Sequence, residues 1–318
     1  MSTPSTTRDE GGHYSGRDTG LDVVTGAFSY SGRAIARRLL DAGREVRTLT
    51  GHAGRRDTQA IDVRPLDFDD LPGLVAHLRG ATTLYNTYWV RFAAGRTDHD
   101  QAVECSQTLF HAARRAGVQR IVHISITHPS IDSPYPYFRG KARVERSLAE
   151  TGVPYAVLRP AILFGERGVL INNIAWLLRH LPVFAVGGRG DYRVRGIHVE
   201  DLARLCVEAA QHREDSVIDA VGPERPTFLE LVEWIRRAVH SRARIAHVPG
   251  GLVPILARGL GLVLRDVLLT RDEYRAMADG LADTEGPATG RIALSRWLAE
   301  NGESLGTRYR NELDLQFR

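Results

Sequence analysis

Short apolar runs alternate along this chain with longer stretches in which apolar residues recur every three or four positions. The first run, Leu21 to Val24, meets a turn of small residues holding Gly26 and Gly32. A helix with Ile35, Leu39 and Leu40 on one stripe is expected next, stopping at Gly43, and a second strand, Glu45 to Leu49, follows at once. The same helix-glycine-strand junction recurs at Gly80 before Thr82 to Tyr85, at Gly117 before Arg120 to Ile124, and at Gly152 before Tyr155 to Leu158. Glycine just past a helix end takes the left-handed conformation cheaply, and strands that alternate with helices imply right-handed crossovers and parallel pairing. The pattern predicts an α/β fold built on a doubly wound parallel sheet.

Ligands of such sheets bind outside the carboxyl ends of the strands, so the residues just after each strand carry the candidate chemistry. A strand-turn-helix leaves the first N–H groups of the helix unpaired at the positive end of its dipole, where a phosphate can sit. In Thr25 to Gly32, Gly26 lets the chain reverse and Gly32 lets helix and strand pack closely. Phe28, Ser29 and Tyr30 complete the candidate cofactor contacts of this turn. Ser29 stands where dinucleotide-binding turns carry a glycine; its Cβ would crowd a phosphate, while its hydroxyl could donate to one. An ordinary βα turn without ligand is the alternative. After the second strand no acid is present to bind ribose hydroxyls, and Arg55 and Arg56 are close by, which leans the cofactor from NAD towards NADP, although a loop arginine can simply be solvated. Asp67 could accept from an adenine amino group with Phe68 beside the ring, and helix capping is the plainer role for the neighbouring Asp69 and Asp70. Asn86, Tyr88 and Trp89, after the fourth strand, suit a cofactor and substrate wall or ordinary packing.

The fifth strand ends in Ser125-Ile126-Thr127, and Tyr137 and Lys141 fall at i and i+4 near the start of the following helix. An ammonium beside a phenol stabilises phenolate, so the tyrosine can exchange a proton with a carbonyl or hydroxyl, and Ser125 or Thr127 could hold the oxygen. The competing structural role is a packed Tyr137 and a solvated Lys141 paired with Glu145. Tyr135 has Arg139 at i+4, which lacks the compact charge of lysine.

Residues 1 to 20 are polar and rich in Ser, Thr and Gly, and read as a disordered tail without the apolar run of a secretory signal. Charged residues make up 25% of the chain and the net charge is +4, with no interleaving of basic and aromatic residues, which argues against nucleic-acid binding. Cys105 and Cys206 lie far apart in helical patterns without metal-ligand spacing, so no metal site is expected and a reducing, cytoplasmic setting is. Gly250 to Thr270 is apolar but interrupted by Arg258 and Arg265, too broken to span a bilayer. Burial within the protein is the favoured expectation for it; a lid, a subunit contact and a helix lying on a membrane are the alternatives.

Thr25-Gly26-Ala27 with Gly32, Ser125, Tyr137-x-x-x-Lys141, Leu158-Arg159-Pro160 with Phe164-Gly165, and His198 to Ala203 together resemble extended and atypical short-chain dehydrogenase/reductases. Within that superfamily the chain looks most like the NmrA-like group and the relatives of the nucleotide-binding accessory subunit of respiratory complex I. The resemblance covers roughly residues 21 to 240. It implies a Rossmann core over 21–165 and a smaller, mostly helical C-terminal part over 166–318 that shapes the substrate site, with 190–240 returning strands and helices to the core. It further implies Tyr137 as proton donor or acceptor, Lys141 on the nicotinamide ribose, Ser125 orienting the substrate, and the helix Leu170 to Leu178 as a pocket wall with Asn172 and Asn173 as its polar residues. The implied activity is NAD(P)-dependent hydride transfer on a small carbonyl or alcohol, with epimerase or dehydratase chemistry open. A non-catalytic nucleotide sensor or assembly subunit, as several NmrA-like proteins are, is the rival. A homodimer is an open partner.

Overall fold

The computed structural model describes residues 20–51, 61–91, 98–311 and 313. Its centre is a seven-stranded sheet in which every neighbouring pair is parallel. The strands are β1 (Leu21–Thr25), β2 (Glu45–Thr50), β3 (Ile61–Pro65), β4 (Ala81–Asn86), β5 (Arg120–Ile124), β6 (Tyr155–Pro160) and, by way of an excursion through the C-terminal part, β10 (Ser216–Ala220). Their order, β10-β6-β5-β4-β1-β2-β3, reverses direction between β4 and β1, and at that point the carboxyl ends of the strands open a crevice. The tail over residues 1–19 and Arg55 lie outside the described residues.

The helix-glycine-strand junctions are borne out. Helices α1 (Tyr30–Asp41), α2 (Leu71–Leu78), α3 (His99–Ala116) and α4 (Pro136–Glu150) are each followed by a left-handed glycine. Gly43, Gly80, Gly117 and Gly152 have φ of 76°, 80°, 76° and 70°. An L side chain would strain all four turns. Helix α1 packs with α6 (Val199–Ala210) on one face of the sheet, and α2, α3 and α4 cover the other. Ile35, Leu39 and Leu202 fill the first layer, Leu74, Leu109, Phe110 and Leu148 the second, all at most 1% exposed. Each such side chain contributes about 1.5–3 kcal/mol of burial.

A third cluster joins α5 (Val169–His180), α7 (Phe228–Ala238) and α10 (Leu294–Asn301) around Phe164, Ile235 and Trp297. Two pairs of short parallel strands belong to this part: β7 (Ile162–Phe164) with β9 (Gly196–His198), and β8 (Val183–Gly187) with β11 (Arg244–Val248). Within 190–240, expected to return strands and helices to the core, the strands are β9 and β10. The stretch after Arg242, within the part expected to be mostly helical, opens on β11. A capping box between Thr227 and Glu230 opens α7.

Gly250 to Thr270 corrects its favoured expectation. Helix α8 (Val253–Leu264) buries only Gly261, while Ile255, Leu256, Leu262 and Val263 face outward. Helix α9 (Arg271–Ala278) follows, with its own capping box between Thr270 and Glu273.

Candidate functional site

At the β1–α1 turn the sequence leaves little freedom. Gly26 has φ of 64°, its N–H donates to the Leu49 carbonyl at 2.8 Å, and the Ala27 N–H donates to Thr48 Oγ1 at 2.9 Å. A Cβ on Gly32 would lie 2.2 Å from the Gly26 carbonyl oxygen, so only glycine lets α1 start this close to β1. Ser29 is the N-cap of α1, and its Oγ accepts from the Gly32 N–H at 3.3 Å. The serine that replaces the usual glycine thus caps the helix, and its hydroxyl proton stays available to an outer acceptor. Phe28 is half-buried beside it. Tyr30 turns away from the turn: added Cβ atoms on Gly165 and Gly168 would lie 2.8 and 3.2 Å from its hydroxyl oxygen. That oxygen is buried with no partner among the described residues, and burial pushes its pKa up.

The crossing between β1 and β4 is pinned by a buried polar chain. Thr25 Oγ1 donates to Asn86 Oδ1 at 3.2 Å and accepts from the Thr87 N–H at 2.8 Å; Asn86 Oδ1 also accepts from the Tyr88 N–H at 3.0 Å. Asn86 Nδ2 lies 3.1 Å from His123 Nδ1, and burial drives the pKa of that imidazole well down, so it is neutral and accepts. Asn86 is fully buried and its amide is spent on this chain. The sequence suggested a cofactor-facing role; the structure gives Asn86 the task of holding the crevice walls together.

Past β2 and β3 lies a hollow of about 460 Å3 whose lining includes Gly51, Asp67, Phe68, Gln101 and Cys105. Asp67 Oδ1 accepts from the Asp69 N–H at 3.0 Å, and Asp70 caps α2. The Phe68 ring packs against Tyr88 with centroids 4.8 Å apart. Tyr88, expected on the substrate wall, therefore belongs to this end, because its ring follows Phe68 and not the larger cavity.

That larger cavity, about 610 Å3, lies between the carboxyl end of the sheet and the C-terminal part. Ile126, Phe138, Leu163, Leu170, Met277 and Leu281 give it apolar walls. Its charged groups are partly neutralised: Arg91 Nε donates to Glu273 at 2.5 Å, and Arg143 pairs with Asp100. Tyr137 and Thr127 line the cavity, and the Thr127 hydroxyl donates to the Leu281 carbonyl at 2.8 Å. Ser125 and Lys141 lie behind the wall, 3% and 2% exposed. Ser125 Oγ is buried without a partner among the described residues. Lys141 Nζ donates to the Ile124 carbonyl at 2.8 Å and sits 4.5 Å from the centroid of the Trp89 ring. The Glu145 that might have claimed Lys141 is bound by Arg159 in a two-pronged pair. Burial lowers the Lys141 pKa to about 7, against a smaller raising effect from Glu145.

Trp89 is the residue whose importance the sequence understated. Its ring meets Tyr137 edge-on at 5.8 Å and stacks on His99 at 5.9 Å. A Cβ on Gly140 would come within 2.9 Å of the indole, so that glycine makes the room. His99 went unnoticed because it is distant in sequence and marked only by the helix cap at Asp98. Asn172 and Asn173, placed on the pocket wall from sequence, are corrected as well. Their amides hold the carbonyls of Arg308 and Arg310 at 2.9 Å each, because both face the C-terminal segment that crosses α5. Val169 and Leu170 supply the α5 share of the cavity wall.

Glycine cradle, switch-point crevice and doubly wound parallel sheet together define a Rossmann-type fold. The family model for the NAD dependent epimerase/dehydratase family matches residues 23–221, and the chain belongs to that family. An uncharacterized protein of Mycobacterium tuberculosis (strain ATCC 25618 / H37Rv) is 31% identical over 266 residues, covering 79% of this chain. The match takes up 27% of that relative, so the chain spans about a quarter of its length. The mitochondrial NADH-ubiquinone oxidoreductase 40 kDa subunit of Neurospora crassa is 24% identical over 189 residues, 58% of this chain and 49% of that subunit. Among solved structures, the Citrobacter sp. triphenylmethane reductase complexed with NADP(H) superposes with a TM-score of 0.71 at 18% identity, covering 89% of this chain and 99% of that one. The resemblance to short-chain reductases and complex I subunits drawn from the motifs is borne out, as is the doubly wound sheet. Among the described residues no helix is long and apolar enough to cross a membrane.

Proposed function

We propose that the protein is an NAD(P)-dependent oxidoreductase acting on a small, largely apolar carbonyl or alcohol. The observation that carries this is the placement of Tyr137 on the wall of an apolar cavity, with Lys141 and the unpartnered Ser125 hydroxyl directly behind it. The NADP(H) complex of the structurally similar reductase supports the cofactor class. Gly26, Gly32 and the Ser29 hydroxyl would hold the pyrophosphate, and Asp67 with Phe68 the adenine. Bound there, the nicotinamide supplies or accepts the hydride. Tyr137 passes its hydroxyl proton to the substrate oxygen during reduction and takes it back during oxidation, while the Lys141 ammonium favours the phenolate. Ser125, whose hydroxyl has no other partner, orients that oxygen. Residues 21–165 carry the cofactor in this scheme and 166–318 close the substrate side.

One observation favours the rival, a nucleotide-binding regulator or assembly subunit. Trp89 stands over Lys141, so the ammonium reaches a ribose only if the indole moves. Titration with NADPH and NADH, followed by turnover of a carbonyl and quinone panel by wild type and Tyr137→Phe, separates the two. The oxidoreductase requires that Tyr137→Phe keep cofactor affinity and lose turnover by about 10²–10⁴-fold. Equal turnover by the variant, or no turnover by a wild type that binds the cofactor, refutes it.

A further inference from the structure

We propose that α8 seats this protein on the surface of an anionic lipid bilayer. Leu252, Ile255, Leu256, Leu262 and Val263 are 45%, 65%, 51%, 77% and 78% exposed. Their spacing, with Gly259 between them, is that of a single stripe on a helix of 3.6 residues per turn. Most surface helices hide their apolar stripe, and this one presents it. The inner side of α8 is fastened, so the stripe cannot roll inward. The Asp266 N–H donates to the Gly261 carbonyl at 3.0 Å, Asn311 Nδ2 donates to the Leu264 carbonyl at 3.3 Å, and the Tyr309 hydroxyl donates to Asp266 at 2.5 Å. A Cβ on Gly261 would meet the Asp266 carbonyl at 2.5 Å, which shows how closely that side is packed.

Charge identifies the occupant. From Gly250 to Arg265 there is no acidic residue, and the two charges present, Arg258 and Arg265, are both exposed. At 100° per residue Arg258 falls on a flank of the stripe, about 100° from its centre, and Arg265 caps the end of the helix with a left-handed backbone. A helix lying in the interface with its apolar stripe among the acyl chains puts such a flank at the headgroups, where guanidinium groups meet phosphate and the long side chains snorkel. A second copy is a poorer fit, since a two-fold contact through this stripe would bring together two surfaces that carry only arginine, with no acid on α8 to answer them. The chain then runs through Leu269 and Thr270, which line the large cavity, so an apolar molecule dissolved in the bilayer has a short path to it. Docking itself does not depend on the oxidoreductase proposal.

The test is sedimentation of the full chain with vesicles of phosphatidylcholine containing about one third phosphatidylglycerol, alongside pure phosphatidylcholine. Wild type is expected to sediment with the anionic vesicles and to be released as salt rises from about 0.1 to 0.5 M. Leu262→Asp with Val263→Asp, both at exposed positions, is expected to weaken binding by at least about tenfold with the unfolding transition unchanged. Arg258→Gln is expected to weaken it less and to reduce the salt dependence. Wild type that stays in the supernatant, a double aspartate variant that sediments like wild type, or a wild-type dimer that the double variant converts to monomer without any vesicle binding would each overturn the proposal.

Discussion

Replacing Lys141 by Met should flatten the dependence of stability on pH above neutrality. The unfolded lysine holds its proton to about 10.5, whereas in the folded protein burial brings the pKa to about 7. Between those values the unfolded chain binds one proton more than the native one, so stability must rise with pH across that window and fall as pH drops towards 7. One proton is worth about 1.4 kcal/mol per pH unit, which gives up to about 2.7 kcal/mol between pH 7.5 and 9.5. Few neighbours complicate the sign: Glu145 is held by Arg159, and His123 is already neutral through burial. Methionine keeps the stem and removes the titrating group. Urea unfolding of both proteins at several pH values, with the difference in free energy taken at each, cancels every other titration. A wild type that gains stability relative to Lys141→Met as pH rises supports a buried, proton-releasing Lys141. A pH-independent difference would show that the ammonium titrates as in water, and the description of Lys141 as sealed beneath Trp89 would fall with it.

Two further outcomes follow from single contacts. Gly32→Ala should cost about 1–3 kcal/mol, because its Cβ would press on the Gly26 carbonyl, and should abolish NADPH-induced fluorescence changes if the cofactor sits on this turn. Asn172→Ala should destabilise by about 1–3 kcal/mol in urea by stranding the Arg308 carbonyl and the Gly306 N–H, and should leave cofactor affinity unaltered.

The sheet was legible because much of its punctuation is local: a glycine with positive φ follows each of the first four helices just before a parallel strand, at Gly43, Gly80, Gly117 and Gly152. The tight β1–α1 turn was legible for a similar reason, since Gly26 has positive φ and Gly32 leaves no room for a Cβ. What failed depended on partners far along the chain. Asn172 and Asn173 look like pocket residues on an amphipathic helix until residues 306 to 310 arrive to bind them. Asn86 ends β4 and Tyr88 lies just past it, yet one is drawn to Thr25 and His123 and the other to Phe68. The run from Gly250 to Thr270 has leucines at core spacing, and periodicity alone cannot tell whether a stripe points inward or outward. The strand β7 is three residues long, too short for its alternation to rise above that of a loop, while β8 and β11, as long as β1, lack the glycine junction that marks four strands of the main sheet.

The strap that Asn172, Asn173 and Arg179 hold across α5 also sets an order of assembly. Arg179 donates to the carbonyls of Gly302 and Leu305 at 2.8 Å each, so the outer side of a helix near the middle of the chain is finished by residues more than a hundred positions later. During synthesis strands β1 to β6 and helices α1 to α4 can pair and cover their sheet as they emerge, since each strand finds neighbours made shortly before. The third core cannot, because its members run from Phe164 to Leu305. A ribosome that pauses after β6 would expose a nearly complete nucleotide fold with one ragged edge, awaiting β10, and with no far wall to its cavity. On the growing chain, the glycine turn between β1 and α1 is complete long before the chamber beside it.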